Sequence, residues 1–163
     1  MAELRYPIIE DSESFFRILT EGKFEFYYAT IPESIESEKE WIKRREYKRA
    51  NNLEYNYSII YNNNVVGGCE IRIFKDNPHI GELGYFIDRN FSNKGIASEV
   101  VKKLEKIAFD ELGLMRLEIH MDPQNRASEK VAIKNNFEKE GLLKKAIKFQ
   151  DSYYDNLMYA KIK

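Results

Sequence analysis

The sequence predicts a mixed α/β fold: an antiparallel meander, then strand–helix–strand–helix–strand–strand, with helices on both faces of one mixed sheet. Three observations predict it. Alternating side chains run through residues 55–61, 65–74 and 80–87, with turn residues between them. The apolar spacing then lengthens to a helical period after residue 92. Alternation returns at 117–121 and at 157–162, with a further strand-like run at 137–149 between them.

Each element has its own signal. Residues 3–9 suit a short first strand, and Phe15, Phe16, Ile18 and Leu19 mark one face of a short helix. Ser37 and Glu40 have the spacing of a capping box ahead of Trp41, so a second helix is expected to start there, with a solvated Lys- and Arg-rich face. Tyr55, Tyr57, Ile59 and Tyr61 alternate, and Asn62-Asn63-Asn64 is a turn. In the next strand Cys69, Ile71 and Ile73 share one face, with Glu70 and Arg72 on the other. Asp76-Asn77-Pro78 predicts a further turn before a strand at 80–87. Ala97, Val101, Leu104, Ala108 and Leu112 trace a long amphipathic helix that Gly113 stops. Leu117, Ile119 and Met121 form a strand, Asn125 caps a short helix from Arg126, and strands at 137–149 and 157–162 close the fold, the first interrupted at Glu140-Gly141.

Composition narrows the function. The 163 residues suit one domain spanning 1–163, and the net charge of −1 creates no overall field toward nucleic acid or anionic membrane. Eleven Tyr, ten Phe and one Trp are enough to fill a core and furnish a cleft. The single cysteine, Cys69, excludes an intrachain disulfide and fits a cytoplasmic setting. No stretch reads as a signal peptide or membrane span. Two histidines, His79 and His120, without metal-ligand spacing, argue against a metal enzyme. The run Lys43-Arg44-Arg45 is too short for a nucleic-acid surface and reads as a solvated helix face.

The strand ending at Ile87, the loop from Ser92 and the helix beyond it make a unit suited to phosphate. A loop feeding a helix N-terminus offers free amides and the positive end of a dipole, Gly95 permits close backbone approach, and Lys94 adds charge. The same residues also describe an ordinary strand-to-helix connection. Neither G-x-G-x-x-G nor G-x-x-x-x-G-K-[ST] is present.

Gly81-Glu82-Leu83-Gly84-Tyr85-Phe86-Ile87 followed by Ser92-Asn93-Lys94-Gly95-Ile96-Ala97 resembles the acetyl-CoA-binding core of the GNAT N-acetyltransferase family. That family's pyrophosphate loop reads Q/R-x-x-G-x-G/A; Gly95 and Ala97 match, and Ser92 departs from the first position. Asn125-Arg126-Ala127-Ser128, then Val131, Lys134, Asn136-Phe137 and Glu140-Gly141, resembles the family's N-x-x-S…V…K-x-G-F…E-G run, with Asn136 where glycine is usual. Tyr153-Tyr154-Asp155 and Met158-Tyr159 resemble the C-terminal strands of the RimJ/RimL-like branch, which acetylates ribosomal-protein N-termini. The resemblance covers roughly residues 55–163.

The resemblance implies an acyltransferase that moves an acetyl group from acetyl-CoA, without a metal, to an amine. The first acceptor to consider is a protein N-terminal amine. A small amine such as a polyamine, amino acid or antibiotic is the second, with the acidic Glu33, Glu36, Glu38 and Glu40 as an attraction for cations. A non-catalytic acetyl-CoA sensor is the third, supported only by Ser92. A monomer or homodimer suits each. Acetyl-CoA is expected to contact Tyr85, Phe86, Ile87, Ser92, Asn93, Lys94, Gly95, Ile96, Ala97, Ser98, Asn125 and Ser128. Pantetheine is expected to lie as an extra strand where the sheet opens between 80–87 and 115–121, with main-chain groups of 85–87 bonding it. Glu82 is the first candidate for the base and is equally a solvent-facing strand residue; Glu70, Glu118 and His120 follow, His120 being equally a satisfied side chain. Ser128 is the candidate acid toward the thiolate and is equally the first turn of a helix capped by Asn125. Tyr154 and Tyr159 line either the thioester end or the core. Lys134 reads as a solvated helix charge.

Overall fold

The computed structural model describes residues 1–26 and 29–163. Seven strands form one sheet: β1 (Glu3–Arg5), β2 (Glu54–Tyr61), β3 (Asn64–Phe74), β4 (Asn77–Ile87), β5 (Arg116–Met121), β6 (Glu138–Phe149) and β7 (Ser152–Ile162). Their order is β1-β2-β3-β4-β5-β7-β6. Only β4 and β5 run parallel, and every other neighbouring pair is antiparallel. Four helices accompany them: α1 (Ser12–Glu21), α2 (Ile35–Ala50), α3 (Ile96–Lys106) and α4 (Arg126–Lys134). The expected mixed sheet and its meander are therefore present.

Side-chain alternation sorts the two faces. Ile59, Ile71, Leu117 and Ile119 are fully buried together with Val100, Val101 and Leu104 of α3. Area of this kind removed from water contributes about 25 cal/mol per Å², so this layer is the main source of stability. The opposite face carries Glu54, Asn56, Glu70, Arg72, Glu82, Glu118 and His120 and lies toward α1 and α2. A polar sheet face under helices is not a core; it is the floor of a cleft.

Several boundaries differ from the sequence reading. The capping box of α2 is Ser34 with Ser37, each side chain accepting from the other's backbone N–H at 3.1 and 3.2 Å, so α2 begins one turn before the expected Ser37 start. β1 stops at Arg5, because Ile8 N–H bonds the Asp11 carboxylate at 3.0 Å and starts a short 3₁₀ turn. The turn after β3 is only Lys75-Asp76, and Asn77 and Pro78 already belong to β4. The long helix tightens nowhere but widens, passing into a π-helical turn over Ile107–Glu111 before Gly113, at φ +69°, ends it. The Glu140-Gly141 interruption is a register shift between β6 and β7.

Candidate active site

β4 and β5 pair only over Ile80–Glu82 and Arg116–Glu118. Beyond Glu82 the strands part, while β4 remains paired with β3 as far as Ile87 opposite Gly67. The sheet thus opens into the expected V, and two cavities meet in it.

The first, about 580 Å³, lies between the end of β4, the 92–98 loop and α4. Tyr85, Phe86 and Ile87 line one wall, Ser92, Asn93, Gly95, Ile96, Ala97 and Ser98 the base, and Asn125 and Ser128 the far side. Asn93 at φ +61° and Gly95 at φ +78° turn the loop into the helix. No side chain caps α3, so its first amides face the cavity. The loop is braced from below by Asp88, which accepts from Asn90 N–H at 2.9 Å and from Arg17 of α1 at 2.9 Å. Lys94, expected here, instead holds its ammonium 4.7 Å above the Phe91 ring and does not line the cavity. Lys134, read as a solvated charge, does line it, with Lys130, Arg126 and Arg89. Uncapped helix amides, a left-handed glycine and a basic rim form a donor set that fits a pyrophosphate-bearing cosubstrate such as acetyl-CoA.

The second cavity, about 530 Å³, lies over the polar floor. Phe15 of α1 and Trp41 of α2 form an edge-to-face pair in its wall, with ring centroids 6.2 Å apart. Arg45 stacks on Trp41 at 4.2 Å and pairs with Glu54 at 2.6 Å. Arg72 bonds Glu70 at 2.5 Å and stands 3.6 Å from Glu82. Asn56 donates to Glu70 at 2.8 Å. Burial pushes the Glu70 carboxyl above its usual range; Arg72 opposes this, and the carboxylates of Glu54 and Glu82 add to it.

Tyr85, Phe86, Asn125 and Ser128 line both cavities. The hydroxyls of Tyr85 and Ser128 lie 2.9 Å apart, and Asn125 holds Ser128 in place by accepting its N–H at 3.1 Å. Burial raises the Tyr85 phenol to about 12, with Ser128 countering, so it stays protonated at neutral pH. Sequence reasoning assigned Tyr85 a main-chain role only; its side chain is part of the junction. In the sequence Asn56 stands out only as the start of an Asn-x-Ser triplet, which carries no meaning for a cleft. Period-2 alternation places it on the face of Glu54, but the register that sets it opposite Glu70 is tertiary.

His120 is a satisfied side chain: Asn156 of β7 donates to Nδ1 at 2.7 Å, which leaves Nε2–H to donate to Glu118 at 2.7 Å. Glu118 also accepts from Arg116 at 2.6 Å. Tyr159 is buried and donates to Glu129 at 2.9 Å. Cys69 is buried, and that burial drives its thiol well above the usual range, which suits no nucleophile. Among the described residues no group of three or more His, Cys, Asp or Glu could hold a metal ion. No helix among them is long and apolar enough to cross a membrane.

A parallel strand pair that splays over a loop feeding a helix N-terminus, with a second cavity reaching the same point, is an arrangement suited to acyl transfer. The family model described as acetyltransferase (GNAT) domain matches residues 2–138, and the chain belongs to that family of N-acetyltransferases. It is 35% identical over 99 residues to "Uncharacterized N-acetyltransferase p20" of Bacillus licheniformis, a match covering 61% of this chain and 56% of that protein. It is 28% identical over 145 residues to "Putative ribosomal N-acetyltransferase YdaF" of Bacillus subtilis, covering 87% and 78%. Among solved structures, RimL, a ribosomal alpha-N-protein acetyltransferase in complex with coenzyme A, superposes with a TM-score of 0.87 at 24% identity, covering 99% of this chain and 93% of that one. That likeness is one of fold.

Proposed function

We propose that this chain, as one catalytic domain, transfers the acetyl group of acetyl-CoA to a protein N-terminal amine. The observation that carries this reading is the meeting of two cavities at the Tyr85–Ser128 hydroxyl pair, one rimmed by basic side chains and one floored by carboxylates. The named relatives include a putative ribosomal N-acetyltransferase, which supports a protein amine as acceptor.

In this reading the loop amides and basic rim hold the cosubstrate, and β4 main-chain groups at 85–87 align its pantetheine arm. A β4 backbone N–H polarises the thioester oxygen. The ammonium of the acceptor gives one proton to the carboxylate-bearing floor on which Glu82 stands. Its nitrogen lone pair then forms the C–N bond as the C–S bond breaks. Ser128, backed by Tyr85, delivers a proton to the departing sulfur and is replenished from the second N–H of the nitrogen. An α-amine with pKa ~7.8 is about one-third neutral at pH ~7.5, whereas a lysine with pKa ~10.4 is about 0.1% neutral, so the demand on the floor depends strongly on the acceptor.

A second acceptor class has an observation of its own. Three carboxylates, Glu54, Glu70 and Glu82, against two guanidiniums, Arg45 and Arg72, line the acceptor cavity, which favours a small cationic amine. Thiol release from acetyl-CoA, measured against N-terminal peptides, spermidine and free amino acids, separates the two. Release confined to peptides is expected. Release confined to small amines would transfer the proposal to them, and acetyl-CoA binding without release on any acceptor would favour a sensor.

A further inference from the structure

On the floor of the acceptor cavity, Asn56 is 4% exposed and lines the cavity, yet its Oδ1 has no hydrogen-bond partner among the described residues. Its orientation is fixed by chemistry. A carboxylate only accepts, so the amide must turn its Nδ2 toward Glu70, which leaves Oδ1 as the open acceptor. A buried acceptor left unpaired costs roughly as much as a lost hydrogen bond, which calls for a donor from outside the chain.

Glu70 is placed to share that donor. It stands opposite Gly84 on β4, where a Cβ would come within 3.1 Å of Glu70 Cγ and 3.2 Å of Oε1. The missing side chain at Gly84 therefore lets the Glu70 carboxylate lie across β4, one residue before Tyr85. Glu82, by contrast, stands where β4 is still paired with β5, opposite Glu118, with Arg72 between it and Glu70. Each Glu70 oxygen spends one lone pair, Oε1 on Arg72 and Oε2 on Asn56, and keeps another free.

We propose that Asn56 and Glu70 form the ammonium-binding end of the acceptor cavity, and that Glu70 takes the proton that frees the acceptor nitrogen. The proposal deepens the acetyl-transfer reading and rests on it for the second clause. Asn56 Oδ1 accepts one N–H of the ammonium and orients it; a second N–H passes its proton to Glu70, leaving the lone pair to form the C–N bond. Glu82 then acts through Arg72 as a positioning residue. Burial and the neighbouring Glu54 and Glu82 favour the protonated carboxyl that this step produces. The other charged or titratable groups facing Glu70 are Arg72 on its own strand and Arg45 on α2, with His120 of β5 lining the same cavity.

Two measurements test it. L-alaninamide, as a probe of a peptide N-terminus, is titrated into ¹⁵N-labelled protein and read at the Asn56 side-chain amide. A saturable shift that disappears in Glu70→Gln is expected, and no shift in the folded wild-type protein overturns the site whatever the turnover. Steady-state kinetics on the best peptide acceptor follow. Glu70→Gln is expected to lower acceptor kcat/KM at pH 7 by on the order of a hundredfold, with acetyl-CoA binding unchanged. That deficit should shrink as pH rises toward the acceptor's own pKa, a change no structural defect would produce. Asn56→Leu should raise acceptor KM at least about tenfold, the loss of one hydrogen bond to a charged group. Glu82→Gln should cost less than Glu70→Gln. Activity of Glu70→Gln within threefold of wild type, or a larger loss in Glu82→Gln, overturns the proton role. A probe shift with no turnover on any amine would leave the ammonium site standing and reject the acetyltransferase reading instead.

Discussion

Ser128 carries three relationships at once: a capped backbone N–H, a hydroxyl bonded to Tyr85, and a place on both cavities. The sequence offered a mild reading and a sharp one for it, and Tyr85 is what separates them. A helix-start serine alone has no reason to meet a half-buried phenol that burial raises to about 12. In the proposed reaction Ser128 assists a thiolate, a leaving group far less basic than an alkoxide, so the help needed is modest. Ser128→Ala should lower kcat by on the order of a hundredfold, the low end for general acid–base catalysis, with acetyl-CoA affinity little changed. Pre-steady-state thiol release checks this: unchanged release would leave Ser128 with the helix alone. Glu70 shows the opposite limit of sequence reading. It alternates with Cys69 and Ile71 like any solvent-facing strand residue, and only its neighbours Asn56, Arg72 and Gly84 distinguish it.

At the scale of elements, α4 is the piece that brings Ser128 to the opening. Asn125 Oδ1 caps it, and Ala132 packs into the core. Losing such a cap costs about 1 kcal/mol, which in a domain of this size lowers Tm by roughly 2–4 °C. Asn125→Ala should show that drop together with a fall in kcat, because the first turn that aims Ser128 is loosened. Asn125→Asp should restore both, being an equal cap. A drop in Tm with kcat intact would separate the cap from the catalytic geometry. The Asn125 cap and the Gly113 stop were legible because capping chemistry is local. The start of α2 was misjudged by three residues for the same reason: Ser34 and Ser37 are both good caps, and the choice between them depends on where the preceding chain arrives.

Across the whole molecule, one buried carboxylate ties the N-terminus to the sheet. Asp11 accepts from both guanidinium nitrogens of Arg5 at 2.7 Å, from Ser58 of β2 at 2.6 Å and from Ile8 N–H at 3.0 Å. Burial pushes this carboxyl up, but Arg5, Ser58 and the Ile8 amide together outweigh it and hold it below its ordinary value. A carboxyl lowered in the folded state adds stability above its unfolded pKa of about 3.9, and that stability is lost as pH falls through the folded value. Asp11→Asn should therefore cost about 2 kcal/mol at pH 7, the scale of hydrogen bonds to a charged group. The gap from wild type should narrow below pH ~4. Urea unfolding at pH 7 and pH 3 measures it, and an equal gap at both would assign Asp11 a purely neutral role.

The sequence by itself determined the order and kind of nearly every element, the glycine loop ahead of α3 and the cap of α4. Period, turn chemistry and capping are written within a few residues of where they act, and the family motifs lie on those same segments. Only the tertiary structure decided the acceptor side. Which of several strand carboxylates reaches the opening depends on the register of β2, β3 and β4 and on where β4 leaves β5. Those are long-range pairings between residues such as Asn56, Glu70 and Gly84, whose side chains become a site only once the strands are laid beside one another.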